Sequence, residues 1–147
     1  MSTPEELGAI FGALAIGSKE LVFLPLNDHG DAESRGGSHW SLLVYHAGRG
    51  RYTLLDSMPS IDMQRRAELL ATRLRDAFDL GAGAGAEGLV RVHKGKCPRQ
   101  QNGFDCGVYA IAFVQQLAVT GFDVEALAEI TPEWITKLRA ELLVSGP

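Results

Sequence analysis

Cysteine and positive charge are both scarce in this chain of 147 residues. Cys97 and Cys106 are its two cysteines, too few for a disulfide scaffold and without the CxxC spacing of a zinc site. We therefore expect reduced thiols, no bound metal and no cofactor. With 14 basic against 18 acidic residues and a net charge of −4, the chain lacks the basic surface that binds a phosphate backbone. We expect no nucleic-acid partner.

Long hydrophobic runs are also missing. The apolar run Leu21–Leu26 is far shorter than the roughly 20 residues of a membrane span. Residues 7–16 resemble the core of a signal peptide, but Glu5 and Glu6 precede them where such a peptide carries positive charge. The expectation is thus a single domain over residues 1–147, monomeric, without a membrane partner, in the cytoplasm or nucleus.

Both helical and strand patterns are present. Period-2 or short apolar runs predict strands, and apolar residues at helical spacing predict helices. The predicted strands are Leu21–Leu26, His39–His46, Arg51–Leu55 and Leu89–His93, and the predicted helices are Thr3–Gly17, Ser60–Leu80, Cys106–Val119 and Thr131–Val144. Ser60 and Thr131 are expected to cap their helices, and the Gly-rich segments 27–38 and 81–88 are expected to be loops.

A predicted hairpin brings a histidine toward an aspartate. If Ala47–Gly50 is a four-residue loop, His46 lies opposite Arg51. His39 and Asp56 then share one face of the sheet as diagonal neighbours, roughly 7–8 Å apart at the backbone. A loop of odd length would put them on opposite faces. For one histidine and one aspartate alone, the pattern favours a chance surface pairing.

Cys106 lies where a Gly-containing loop becomes a helix. A helix N-terminus lowers the pKa of a thiol and favours the nucleophilic thiolate, and Gly107 would let a substrate approach the backbone closely. A buried structural cysteine is the competing interpretation. A thiolate nucleophile needs a base, and the four candidate histidines are His29, His39, His46 and His93. Of these, His29 and His46 are expected to be solvated. His93 has no nearby acid in the sequence.

An oxyanion formed at Cys106 would need a hydrogen-bond donor. Gln100, six residues before the cysteine, carries a suitable side-chain amide. Gln101 and Asn102 carry the same chemistry, so the residues alone leave the choice among the three amides open.

Three segments together resemble one family, the ubiquitin-like-protein-specific cysteine proteases, which include SUMO (sentrin)-specific proteases and deneddylases. The segments are Gly37–Tyr45 (GSHWSLLVY), Leu54–Ser57 (LLDS) and Gln100–Tyr109 (QQNGFDCGVY). Within the family the chain is most similar to the deneddylase branch. The features behind this are Leu24–Asp28 (LPLND), the doubled glutamine before the cysteine, and Thr131–Arg139 (TPEWITKLR).

The resemblance implies an α+β, papain-like and adenain-like fold, with a central mixed sheet and the nucleophile at a helix N-terminus. It implies Cys106 as nucleophile, His39 as base, Asp56 as the residue that orients the base, and Gln100 as oxyanion donor. The residues it assigns to modifier binding are Trp40, Asn27, Asp28 and Gly107, with Trp40 in a narrow lid over the modifier's C-terminal Gly-Gly.

The implied activity is cleavage after the Gly-Gly of a ubiquitin-like modifier, Nedd-type favoured and SUMO next, either from target lysines or from a precursor. A non-catalytic modifier-binding module is an alternative, since 38 residues precede His39 and the family's N-terminal part, with a second roofing tryptophan, is longer. A Cys-His acyltransferase is a further alternative. The His-Trp pair and the glutamine six residues before the cysteine argue against it.

Two smaller features complete the expectations. Arg91, Lys94, Lys96 and Arg99 form a basic stretch without acids, either a solvated loop or a surface for an acidic patch. Cys97 is expected to be a packed thiol, with an oxidative disulfide to Cys106 as the alternative.

Overall fold

The computed structural model describes residues 21–28, 39–78 and 88–145. The predicted helix Thr3–Gly17, most of the loop at 27–38 and nearly all of the loop at 81–88 lie outside these residues. Within them are four strands: β1 (Leu21–Asn27), β2 (Trp40–His46), β3 (Arg51–Leu55) and β4 (Val92–Lys94). They form one sheet in the order β1-β2-β3-β4, antiparallel except for the parallel pair β3–β4. The sheet is therefore mixed.

The β2–β3 hairpin has the predicted register. Residues 47–49 form a 3-10 turn and Gly50 closes it in the left-handed region at φ 56°, where glycine is favoured. His46 pairs with Arg51, and the ladder runs on to Leu42 opposite Leu55. The even loop length thus fixes which residues share a face. Pro25, which lacks an N–H, lies in β1 at the edge of the sheet.

The described residues also form three α-helices, the first between β3 and β4 and the others after β4: α1 (Ile61–Phe78), α2 (Cys106–Thr120) and α3 (Pro132–Ser145). Both predicted caps are confirmed, since Ser60 Oγ accepts from Met63 N and Thr131 Oγ1 accepts from Trp134 N, each at 3.1 Å. Helix α2 ends one residue later than predicted, before Gly121.

The prediction for β4 was wrong in its bounds. The strand covers Val92–Lys94 rather than Leu89–His93, because its partners are set by the parallel ladder to β3. Val90 belongs to the helix side instead: its N–H donates to Thr72 Oγ1 on α1 at 2.8 Å. The 3-10 helix Val124–Glu129 was not predicted.

His46, which was expected to be solvated, begins the turn between β2 and β3. It is half-buried, and its Nδ1 accepts from Arg49 N at 3.2 Å. Its ring lies 5.1 Å from the ring of Phe122. The turn therefore uses His46 as its N-terminal cap.

The sheet is buried on both faces, which gives three layers. Alternate residues point to opposite sides: Leu43, Tyr45 and Leu54 pack toward α1, whereas Leu42, Val44 and Leu55 pack toward α2 and α3. The start of β2, the end of β3 and the start of α2 meet at one end of this arrangement, and that end holds the residues singled out by the sequence.

None of the helices within residues 21–28, 39–78 and 88–145 is long and apolar enough to cross a membrane. The same residues contain no group of three or more histidine, cysteine or acidic side chains arranged to hold a metal ion.

Candidate active site

His39 and Asp56 form the centre of the site. His39 immediately precedes β2 and Asp56 immediately follows β3, so the hairpin register brings them to the same end of the sheet. The imidazole Nε2 lies 2.5 Å from Asp56 Oδ1, with the two side chains 14% and 3% exposed. Met58 N also donates to this carboxylate oxygen, at 3.0 Å. A buried carboxylate on Nε2 fixes the plane of the ring and leaves Nδ1 for other chemistry.

The Cys106 thiol lies beside this pair. Cys106 is the first residue of α2 and is buried. The backbone N–H of Trp40, the residue after His39, donates to Cys106 Sγ at 3.4 Å. The segment that carries the predicted base thus contacts the predicted nucleophile, although the two residues of this hydrogen bond are 66 positions apart in the chain.

Asp28 supports the backbone of His39. Its Oδ1 accepts from His39 N at 2.8 Å, and its own N–H donates to His39 O at 3.1 Å. Asn27 pairs with Trp40 across β1 and β2 and is half-buried. Both residues predicted for modifier binding therefore lie next to the His39–Trp40 segment, and Asp28 holds the histidine in place.

Gln100 bonds to Ser57, the residue directly after Asp56. Its Oε1 accepts from Ser57 Oγ at 2.6 Å, and its Nε2 donates to Asn102 O at 2.6 Å. Asn102 uses its own Oδ1 to accept from the N–H groups of Phe104 and Asp105, and Gln101 is exposed. The side chain of Asn102 thus shapes the loop, whereas Gln100 joins the segment that carries Asp56.

Trp40 and Gly107 line an apolar cleft of about 350 Å³ between the β1–β2 edge and α2. The indole of Trp40 is 41% exposed and does not belong to either buried core. A Cβ added at Gly107 would meet nothing within 4 Å, so Gly107 faces open space. The cleft is thus lined by an aromatic side chain and by the glycine that directly follows Cys106.

Sequence reasoning missed the anchor of the loop that leads to Cys106. The carboxylate of Asp105 is buried, and Arg139 Nη1 on α3 donates to both of its oxygens at 2.9 Å. Asn102 Nδ2 donates to Asp105 Oδ2 at 2.8 Å. An aspartate just before a helix suggests a cap, but Asp105 makes no side-chain cap bond, and nothing in the sequence indicates Arg139.

Cys97 contacts the backbone of Asp56. It forms no disulfide, is half-buried, and its thiol donates to the backbone oxygen of Asp56 at 3.5 Å. Burial raises the pKa of the Cys97 thiol to about 11. The expectation of a packed thiol is confirmed. His93 pairs with Thr53 in the β3–β4 ladder, away from this site.

Comparison with known proteins finds relatives that match most of this chain. Residues 13–144 match the C-terminal catalytic domain of the Ulp1 protease family. The chain is 33% identical over 143 residues to human sentrin-specific protease 8, covering 95% of this chain and 64% of that protein. It is 31% identical over 100 residues to NEDD8-specific protease 1 of Arabidopsis thaliana, covering 67% and 41% of the two chains. The chain thus spans less than two thirds of the length of these relatives.

Solved structures show the same fold. The SUMO protease Ulp1 with its catalytic cysteine oxidised to a sulfonic acid superposes with a TM-score of 0.69 at 16% identity, over 97% of this chain and 62% of that one. The Ulp1 protease domain in complex with SMT3, the yeast ortholog of SUMO, gives 0.62 at 16% identity, over 97% and 61%. The predicted α+β cysteine-protease fold is confirmed, and the chain belongs to the Ulp1 protease family.

Proposed function

We propose that this chain is a cysteine peptidase and isopeptidase that cleaves after the C-terminal Gly-Gly of a ubiquitin-like modifier. One observation carries the proposal: His39, which pairs with Asp56 at 2.5 Å, directly precedes Trp40, whose backbone N–H donates to Cys106 Sγ. A nucleophile, a base and a group that orients the base are the minimal set for covalent acyl transfer.

In the proposed reaction, the Cys106 sulfur bonds to the carbonyl carbon of the modifier's last glycine, and His39 takes the thiol proton. The Gln100 amide donates to the oxyanion, using the N–H that Asn102 does not occupy. The C–N bond then breaks and His39 protonates the leaving amine. Water, deprotonated by His39, hydrolyses the thioester and frees the thiol.

The specificity follows from the surroundings of the thiol. Trp40 is exposed at the cleft beside Cys106, and Gly107 presents no side chain there. A tail of two glycines fits beside an indole where a tail with side chains is excluded. Among modifiers a Nedd-type protein is the first candidate because a relative is named a NEDD8-specific protease, and SUMO is the second.

Activity-based probes test this function. Nedd-type, SUMO and ubiquitin proteins that carry a C-terminal electrophile are incubated with the wild-type chain, with Cys106→Ala and with Cys97→Ala. We expect a covalent adduct with the Nedd-type probe in the wild-type and Cys97→Ala proteins and none in Cys106→Ala, as measured by intact mass.

Other outcomes separate the alternatives. Binding without an adduct in the wild-type chain would indicate a modifier-binding module. Loss of the adduct in Cys97→Ala but not in Cys106→Ala would show that Cys97, and not Cys106, is the nucleophile. Failure of all three probes to bind would refute the proposed substrate class.

A further inference from the structure

Ser57 makes two hydrogen bonds to Gln100. It is 2% exposed and directly follows Asp56. Its hydroxyl donates to Gln100 Oε1 at 2.6 Å, and its carbonyl oxygen accepts from Gln100 N at 2.9 Å. Both the main chain and the side chain of Gln100 are thus attached to one residue, 43 positions earlier in the chain.

These contacts determine which end of the amide faces which neighbour. A primary amide has a donor end and an acceptor end of nearly the same shape, so only its partners orient it. The carbonyl of Asn102 can only accept, which places Nε2 on its side. The Ser57 hydroxyl then donates to Oε1 on the other side. One N–H of Gln100 remains for the reacting oxygen.

We propose that Ser57 is a positioning residue that holds the Gln100 amide ready to donate to the developing oxyanion. This inference rests on the proposed function above. Ser57 itself touches neither substrate nor thiol in the proposed reaction. Because Asp56 and Ser57 are adjacent, one dipeptide after β3 orients both the base, through Asp56, and the oxyanion donor, through Ser57. Without the hydroxyl, the amide loses one of its two side-chain contacts and rotates.

The kinetic test uses the full chain and the modifier that forms the adduct, fused to 7-amido-4-methylcoumarin. We expect Ser57→Ala to lower kcat by about 10- to 100-fold, less than the roughly 10²- to 10³-fold cost of removing an oxyanion donor. KM should change little, and Ser57→Thr, which keeps the hydroxyl, should restore most of kcat. In a Gln100→Ala background, Ser57→Ala should have little further effect because both changes act through one amide.

Two controls distinguish positioning from general destabilisation. Thr72→Val removes a partly buried hydroxyl on α1 that donates to Glu68 O and accepts from Val90 N. This variant should lower the melting temperature without lowering kcat. Alkylation of Cys106 by iodoacetamide forms no oxyanion, so its rate should be the same in Ser57→Ala and wild type. A parallel fall in the alkylation rate, or a full additional loss in the Gln100→Ala background, would overturn the inference.

A readout that needs no turnover is the side-chain amide of Gln100 in ¹⁵N-correlated NMR spectra, assigned with Gln100→Ala. We expect its two protons to move toward the positions of a solvated amide in Ser57→Ala and to return in Ser57→Thr. Unchanged amide signals in Ser57→Ala would refute the positioning role whether or not the protein is a protease. Failure of the wild-type chain to process any modifier, with the amide shift present, would refute the proposed function alone.

Discussion

The two cysteines differ in what surrounds each thiol. Cys97 is half-buried behind Asp56, with its pKa raised to about 11 by burial. Cys106 starts α2 and contacts the backbone N–H of Trp40. Since the thiolate is the reactive form, position in the fold decides which cysteine reacts.

We predict that iodoacetamide modifies Cys106 and leaves Cys97 intact at pH 7.5. The Cys97 thiolate population should rise about tenfold per pH unit up to its raised pKa, so its labelling should become appreciable only in strongly alkaline solution. Peptide mass mapping of the wild-type chain measures both sites, and Cys106→Ser isolates Cys97. Equal labelling of the two at pH 7.5 would contradict the assignment.

Asp56 is the residue on which the orientation of His39 depends. We predict that Asp56→Asn lowers kcat by roughly 10²- to 10⁴-fold, because a neutral amide neither holds the productive imidazole tautomer nor stabilises the imidazolium. Turnover of the modifier–coumarin substrate measures this. Asp62→Asn, which alters a surface carboxylate paired with Arg66, serves as the control and should leave kcat unchanged. Comparable kcat values for the two variants would show that Asp56 does not act through His39.

At the scale of residues, contacts could be predicted from the sequence only where the two partners lie close together in the chain. His39 and Asp56 are 17 residues apart across one hairpin, so counting the loop was enough to place them on one face, and the family resemblance assigned them to one site. Ser57 and Gln100 are 43 residues apart, and Asp105 and Arg139 are 34 apart. Those pairs depend on how separate elements pack, which no local pattern specifies.

At the scale of elements, the bounds of β3 were predicted correctly and those of β4 were not, for the same reason. The ends of β3 were predicted correctly because an antiparallel hairpin is a local structure with turn chemistry of its own. Strand β4 pairs in parallel with β3 after a long crossover through α1. Its register is set by packing of the crossover helix, so its apolar alternation alone misplaced it by three residues at its start.

Gly95, directly after β4, tests how tightly this parallel pair is packed. Its N–H donates to Leu54 O at 2.8 Å, and an added Cβ would overlap Leu55 Cδ2 and lie 2.7 Å from Thr53 Cγ2. We predict that Gly95→Ala lowers the free energy of unfolding by about 1–3 kcal/mol, the usual cost of overpacking. Urea titration measures the change.

Gly103→Ala is the matched control, because a Cβ there meets nothing within 4 Å. It should shift the urea midpoint far less than Gly95→Ala does. If both variants unfold at the wild-type midpoint, the space between β3 and the segment after β4 is looser than the structure shows.

For the whole molecule, the sheet is shared by two apolar cores. Leu74 of α1 is buried in the core on one side, and Leu117 of α2 is buried in the core on the other. The resemblance of the sequence to a protease family predicted the fold class correctly. The division into two cores required the register, which sends Leu43 to one side and Leu42 and Val44 to the other.

The position of the site follows from this architecture. His39 and Asp56 lie at the ends of two strands of the shared sheet, and Cys106 lies on a helix that packs against only one face. The site therefore requires both the sheet and helix α2 to be folded. Unfolding of either core should disrupt the site, because both cores pack against the sheet. A stable site accordingly requires that the two cores fold and unfold together.

We predict that Leu74→Ala and Leu117→Ala each lower the free energy of unfolding by about 2–5 kcal/mol. Because the two side chains lie on opposite faces of the sheet without shared partners, their effects should add in the double variant. Urea unfolding, followed by both tryptophan fluorescence and far-ultraviolet circular dichroism, should show one coincident transition for each single variant. Two separated transitions would show that the cores unfold independently. The His39–Asp56 pair would then persist on the sheet after Cys106 had moved away, and activity would be lost before the sheet signal.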